Sequence, residues 1–188
     1  MEQLKSRVDG CEACGLCQKR KTIVFGEGNP DTRIMFVGEG PGEREDEMGR
    51  PFVGPAGQLL DRMMAAIGLD RSNAYIANVV KCRPPHNRDP EPEEMNACRP
   101  YLDAQMDIIR PRVVVALGRI AMRELLKEQR GITKLHGKVF YRDGVFIVPT
   151  YHPSALLRSP GLKKEAWEDL KTVRFIMGEI EKNAGDIH

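Results

Sequence analysis

The sequence predicts an α/β fold with a mostly parallel sheet covered on both faces, and three observations carry that expectation. Short apolar runs at 34–37, 74–80, 113–117 and 145–150 alternate with stretches of helical periodicity. Such alternation implies right-handed crossovers, which set the strands parallel and place helices on either side. The unusual residues also share a position. A glycine-rich loop, Asn78 with the segment behind it, and His152 with the segment behind it all follow predicted strand ends, so they should converge at one edge of the sheet, where ligand crevices lie in this class.

Taken in order, residues 1–22 hold Cys11, Cys14 and Cys17 among charged residues. They are too polar for a core and too rich in cysteine for an idle tail, so another part of the chain must pin them down. The first strand, 32–37, opens into VGEGPGEREDEMGRPFVGPAGQLL, where glycines permit close backbone approach and prolines stiffen the loop. Helical periodicity resumes at Gln58, with Leu59, Leu60, Met63, Met64 and Ile67 on one stripe and a stop at Gly68. A second strand over 74–80 leads into KCRPPHNRDPEPEE, whose prolines exclude helix until 91–94. That helix should reach about Ile109, with Pro100 as a bending point. A buried strand at 113–117 is followed by a helix to about Lys127, then by a loop or edge hairpin over 131–143. A strand at 145–150 ends in YHPSALLRSP, read as a loop, and 163–180 forms an amphipathic helix turning Trp167, Leu170, Val173 and Ile176 or Met177 inward.

The 188 residues fit one domain, 1–188, and a hydrophobic fraction of 41% suits a globular core. A net charge of +2 is compatible with a nucleic-acid partner without demanding one. The first residues lack an apolar signal core, and no apolar run approaches the roughly 18 residues of a membrane span, so a cytoplasmic protein without membrane contact is expected. Five cysteines in a reducing compartment argue for metal binding or redox chemistry over disulfides.

GEGPG at 38–42 is neither the dinucleotide fingerprint nor a P-loop, because its spacing is G-x-G-x-G and no Gly-Lys-Ser/Thr follows. A plain strand-to-helix turn would not need Glu39 at a buried strand end, where a carboxylate costs energy unless it has partners or a task. Cys11 and Cys14 form a C-x2-C pair, with Cys82 and Cys98 far along the chain. Four thiolates hold either zinc or a [4Fe-4S] cluster, and spacing does not separate the two; Cys82 and Cys98 could also be plain core thiols. His152 at a strand end is a structural residue or a catalytic one. Asn78 either caps a turn or presents one donor and one acceptor to a base edge. Leu156 and Leu157 are core, or an apolar wedge beside Arg158.

Three blocks together, FGEGNPDTRIMFVGEGPGEREDEMGRPFVGPAGQLLD, NVVKCRPPHNRDPEPEE with Cys98 following, and HPSALLR, resemble the family 4 uracil-DNA glycosylases, the thermostable type carrying a [4Fe-4S] cluster. The resemblance runs from Cys11 to Arg158. It implies a three-layer α/β/α sandwich with a short, mostly parallel sheet, and removal of uracil from single- or double-stranded DNA by a monomeric hydrolase as the first step of base excision repair. It further implies cluster ligation by Cys11, Cys14, Cys82 and Cys98, with 1–22 packed onto the domain and Cys17 left as a free thiol. Phe52 matches the aromatic on which the flipped base stacks, Asn78 the residue pairing with uracil O4 and N3–H, and His152 the histidine near O2. Glu39, Gly40 and Pro41 match the motif that holds the base and the attacking water. Glu39 is the first choice of catalytic carboxylate, with Glu45 and Asp46 as alternatives. The HPSALLR segment, with Ser154, Leu156, Leu157 and Arg158, is expected to contact DNA. An electron-transfer protein or a zinc-dependent DNA-binding module would account for the cysteines alone.

Overall fold

The computed structural model of the protein describes the backbone of residues 1–185 and the side chains of residues 1–183. In chain order its elements are α1 (Glu2–Val8), β1 (Glu27–Gly28), β2 (Ile34–Gly38), α2 (Glu43–Met48), α3 (Pro55–Ala65), β3 (Tyr75–Asn78), α4 (Pro92–Ile109), β4 (Val113–Leu117), α5 (Gly118–Leu126), α6 (Ile132–Leu135), β5 (Phe140–Arg142), β6 (Val145–Thr150), α7 (Pro153–Arg158) and α8 (Lys163–Gly185). The sheet runs β1-β3-β2-β4-β6-β5; β3, β2, β4 and β6 are parallel, and β1 and β5 are antiparallel edges.

Strand alternation builds two core layers from the same residues. Ile34 and Phe36 of β2 face α3, α7 and α8, while Met35 and Val37 face α4, α5 and α6. All four are fully buried, as expected of a parallel strand covered on both sides. The expected α/β/α arrangement is therefore present. Leu4 and Val8 of α1 pack with Phe25 against Tyr101 and Ala104 of α4, which pins the N-terminal segment to the sandwich.

Local chemistry sets the boundaries. Helix α4 starts with a capping box between Glu91 and Glu94, carries Pro92 in its first turn, continues through Pro100 and stops at Arg110, which is left-handed at φ +52°. The edge hairpin turns through Asp143 and Gly144, both at positive φ, the turn whose twist matches that of the strands. The second strand ends at Asn78, earlier than the expected 80, yet the N–H groups of Val79 and Val80 still bond the carbonyls of Gly38 and Glu39 at 2.9 and 3.1 Å. β2 and the chain leaving β3 thus stay side by side where the site begins.

Several expectations are corrected. The glycine loop contains α2, closed by Gly49 at φ +68°, and the segment after His152 is the helix α7. Leu156 is 1% exposed and packs in the core with Leu60 and Leu170, so it is unavailable to DNA. Trp167 is 38% exposed; Ala166 takes the inward position because α8 meets the sheet along Ala166, Leu170, Val173 and Ile176, and one residue on is about 100° round the helix.

Candidate active site

The C-terminal ends of β2, β3, β4 and β6 open into one cleft of about 490 Å³. Each strand end delivers a group: Glu39, Gly40 and Pro41 follow β2, Asn78 ends β3, Arg119 lies in the first turn of α5 after β4, and His152 follows β6. Phe52, Ser154 and Arg158 complete the expected residues that line it. Leu157, 41% exposed, lies on the surface outside the lining.

Asn78 is 2% exposed, and its Oδ1 has no hydrogen-bond partner among the described residues. Burying an amide oxygen unpaired costs about 1–3 kcal/mol, so Oδ1 is an acceptor left without a donor at the wall of the cleft. The Phe52 ring stands beside it, 5.6 Å from the His152 ring at an interplanar angle of 33°.

His152 caps α7. Its Nδ1 accepts the Ser154 N–H at 3.2 Å and lies 2.8 Å from Ser154 Oγ. Accepting at Nδ1 leaves the ring proton on Nε2. Burial, helped by the nearby Arg158 charge and opposed by Glu45, pushes its pKa down to about 4. The site therefore holds a neutral imidazole with Nε2–H as its donor.

The three candidate carboxylates separate by their partners. Glu45 Oε1 accepts the N–H groups of Val53 and Gly54, both at 2.8 Å, and braces the loop carrying Phe52. Asp46, 2% exposed, accepts the N–H groups of Lys21 and Thr22 at 2.9 and 3.3 Å and ties down the N-terminal segment. Glu39 is pushed up to about 7 by burial and by the Asp89 carboxylate, with Arg119 opposing. Arg119 itself forms an ion pair with Asp89 at the cleft. A carboxyl poised near neutrality, facing a cleft, fits a role in proton handling or in holding water.

Cys11, Cys14, Cys82 and Cys98 line a second cavity together with Val8, Ile23 and Tyr101; Cys17 is not part of its wall. Three of the four sulfurs receive a donor: Tyr101 O–H to Cys11 at 3.2 Å, Arg20 Nη1 to Cys82 at 3.3 Å and Lys81 N–H to Cys98 at 3.2 Å. Four convergent cysteines with donors aimed at their sulfurs are a donor set suited to a thiolate-ligated group. Among the described residues no three His, Cys, Asp or Glu side chains close around the space of a single metal ion.

Sequence reasoning missed the residues that hold this site from behind. Lys81, 1% exposed, donates from Nζ to the Asn78 carbonyl at 2.9 Å and to Gln105 Oε1 at 2.6 Å. Arg71 donates to the carbonyls of Pro51 and Phe52. Nothing in local spacing announces such long-range bonds.

Residues 25–171 match the family model of the uracil DNA glycosylase superfamily. The chain is 50% identical over 183 residues to a type-4 uracil-DNA glycosylase of Sulfurisphaera tokodaii, covering 93% of this chain and 83% of the relative. It is 49% identical over 184 residues to a type-4 uracil-DNA glycosylase of Thermotoga maritima, covering 95% and 96%. A type-4 uracil-DNA glycosylase of Archaeoglobus fulgidus is 41% identical over 194 residues, covering 99% and 98%.

Proposed function

The chain belongs to the uracil DNA glycosylase superfamily and to its type-4 enzymes, and from that premise we propose how its cleft acts. The protein is a hydrolase that breaks the N-glycosidic bond of uracil in DNA, releasing uracil and leaving an abasic site, which opens base excision repair.

A base buried in a duplex must first leave the stack. The flipped uracil stacks on Phe52. Asn78 accepts the uracil N3–H at Oδ1 and donates to O4, a pattern that cytosine reverses. The unpartnered Oδ1 of Asn78 beside the Phe52 ring is the observation that carries this reading. As the C1′–N1 bond breaks, its electron pair passes to the uracil ring, and His152 Nε2–H stabilises the charge developing at O2. Water held by Glu39 and the Gly40 backbone attacks C1′, and the Glu39 carboxylate takes its proton. A neutral His152 suits this task, since its donor persists without placing a second titrating group in the site.

Arg158 and Ser154, which line the cleft, meet phosphate, and Leu157, exposed on α7, fills the vacated stack. Cys11, Cys14, Cys82 and Cys98 are the ligands of a [4Fe-4S] cluster, a larger group than one ion, and Cys17 is a free thiol. The cluster is structural, because the hydrolysis consumes no electron. The chain is one glycosylase domain, monomeric and cytoplasmic, acting on single- or double-stranded DNA.

The test is incubation of an oligonucleotide carrying one uracil with the protein in EDTA, followed by alkali. Cleavage at uracil alone supports the reading; cleavage elsewhere, or dependence on added metal, contradicts it.

A further inference from the structure

Phe52 adopts a left-handed backbone conformation, φ +54°, which an aromatic residue seldom takes and which persists only where surrounding contacts impose it. Those contacts are specific. Arg71 donates from Nη1 to the Pro51 carbonyl at 2.9 Å and from Nη2 to the Phe52 carbonyl at 2.6 Å. A Cβ at Gly57 would overlap the Phe52 carbonyl, so glycine there lets α3 press against the turn. Glu45 holds the next two N–H groups, those of Val53 and Gly54.

Arg71 is itself anchored. Its Nε donates to Asp61 Oδ1 at 2.9 Å, and Glu27 lies 3.8 Å from Nη1. It does not line the cleft, so it can reach a bound base only through the turn it grips. The planar guanidinium satisfies two successive carbonyls and one carboxylate at once. A lysine ammonium, a point charge on a flexible stem, cannot hold that fork.

We propose that Arg71 is a positioning residue for base binding: its fork on the Pro51 and Phe52 carbonyls fixes the strained turn, so the ring of Phe52 already forms one wall of the base slot before uracil arrives. The inference rests on the reading of Phe52 as the stacking surface. A wall fixed in advance loses no freedom on binding, which is how preorganisation raises affinity.

The experiment is a double-mutant cycle on the full chain, with Arg71→Met, Arg71→Lys, Phe52→Ala and the double variant Arg71→Met with Phe52→Ala. It reads single-turnover kcat/KM on a uracil oligonucleotide and the inhibition constant of free uracil, with rates normalised to the folded fraction and Tm recorded for each protein. Arg71→Met is expected to weaken inhibition by free uracil and to lower kcat/KM about tenfold, the scale of one lost base-on-ring stack. Arg71→Lys, which keeps a charge for Asp61, should fall close to Arg71→Met. In the Phe52→Ala background the Arg71 replacement should change either quantity by less than about twofold, since a residue acting only through Phe52 has nothing left to position. Equal losses in both backgrounds, or unchanged free-uracil inhibition in Arg71→Met, would overturn the proposal while an impaired Phe52→Ala left the stacking reading standing. Parent-like behaviour of Phe52→Ala alone would overturn the stacking reading, and Arg71's role with it.

Discussion

Gly38 and Asn78 are register partners at the ends of β2 and β3, and the missing side chain of Gly38 gives the Asn78 amide its space. A Cβ at Gly38 would stand 2.5 Å from Asn78 Oδ1 and 2.6 Å from the Phe52 ring. Gly38→Ala should therefore displace together the two side chains proposed to hold the base. Uracil excision is expected to fall by roughly 100-fold, the scale of one good bidentate contact, with a smaller change in affinity for uracil-free DNA; single-turnover rates and DNA binding measured side by side check it.

His152→Ala should slow the chemical step by roughly 10² to 10³, the size found for one donor to developing charge, while substrate binding barely moves. With its pKa near 4, His152 stays neutral through the working range, so its own titration should leave no inflection in rate between pH 5 and 8. The stability consequence has a definite sign. A folded-state value depressed from the ordinary 6.5 favours the fold above pH 6.5, and that contribution is lost as pH falls from 6.5 towards 4. Acid unfolding of His152→Ala should therefore be less steep across that window.

Glu39 carries the opposite shift. Its folded pKa of about 7 lies above the ordinary 4.5, so ionising it costs stability: the fold is favoured below pH 4.5, and that advantage fades as pH rises to 7. Glu39→Gln should be slower in single-turnover cleavage yet more heat-stable than the parent above pH 7. The parent rate should climb through about pH 7 as the carboxylate forms, and the variant should lack that rise. Glu39→Gln at the parent rate, with activity lost in Glu45→Gln, would remove Glu39 as the catalytic carboxylate.

Cys82→Ala should yield protein with less iron and lower Tm, because the four cysteines join the N-terminal segment, the chain after β3 and α4 around one cavity. Parent protein should be brown. Iron content and thermal unfolding measured together decide the point, and full iron with unchanged Tm would remove Cys82 from the ligand set.

The sandwich was legible in the sequence because its four parallel strands are mostly apolar runs, Ile34 to Val37 and Val113 to Leu117 most clearly, and because glycine, asparagine and histidine fell at strand ends. Where periodicity is weak the reading failed. The acid-rich residues of α2 resemble loop, since only Asp46 on that helix is buried. In HPSALLR, Leu156 and Leu157 are chemically alike, and which of them is core depends on how α7 rotates against α3. Trp167 was misplaced for a related reason: size suggested core, whereas the contact line of α8 is set by the sheet beneath it. Of the cleft, the lining residues Glu39, Phe52, Asn78 and His152 were legible and the residues behind them were not. Arg71 and Lys81 act on backbone carbonyls brought near only by folding.

Base reading by the Asn78 amide is probed by Asn78→Asp, because the replacement removes the donor to O4 and supplies acceptors suited to the cytosine amino group. Matched oligonucleotides carrying one uracil or one cytosine are incubated with parent and variant in EDTA and cleaved with alkali under single-turnover conditions. The rate at uracil is expected to fall by roughly 10- to 100-fold, with weak release of cytosine emerging from mispaired or single-stranded sites where flipping is cheapest. Uracil cleavage by Asn78→Asp at the parent rate would contradict it and move base recognition to the backbone groups of the loop over residues 38–42.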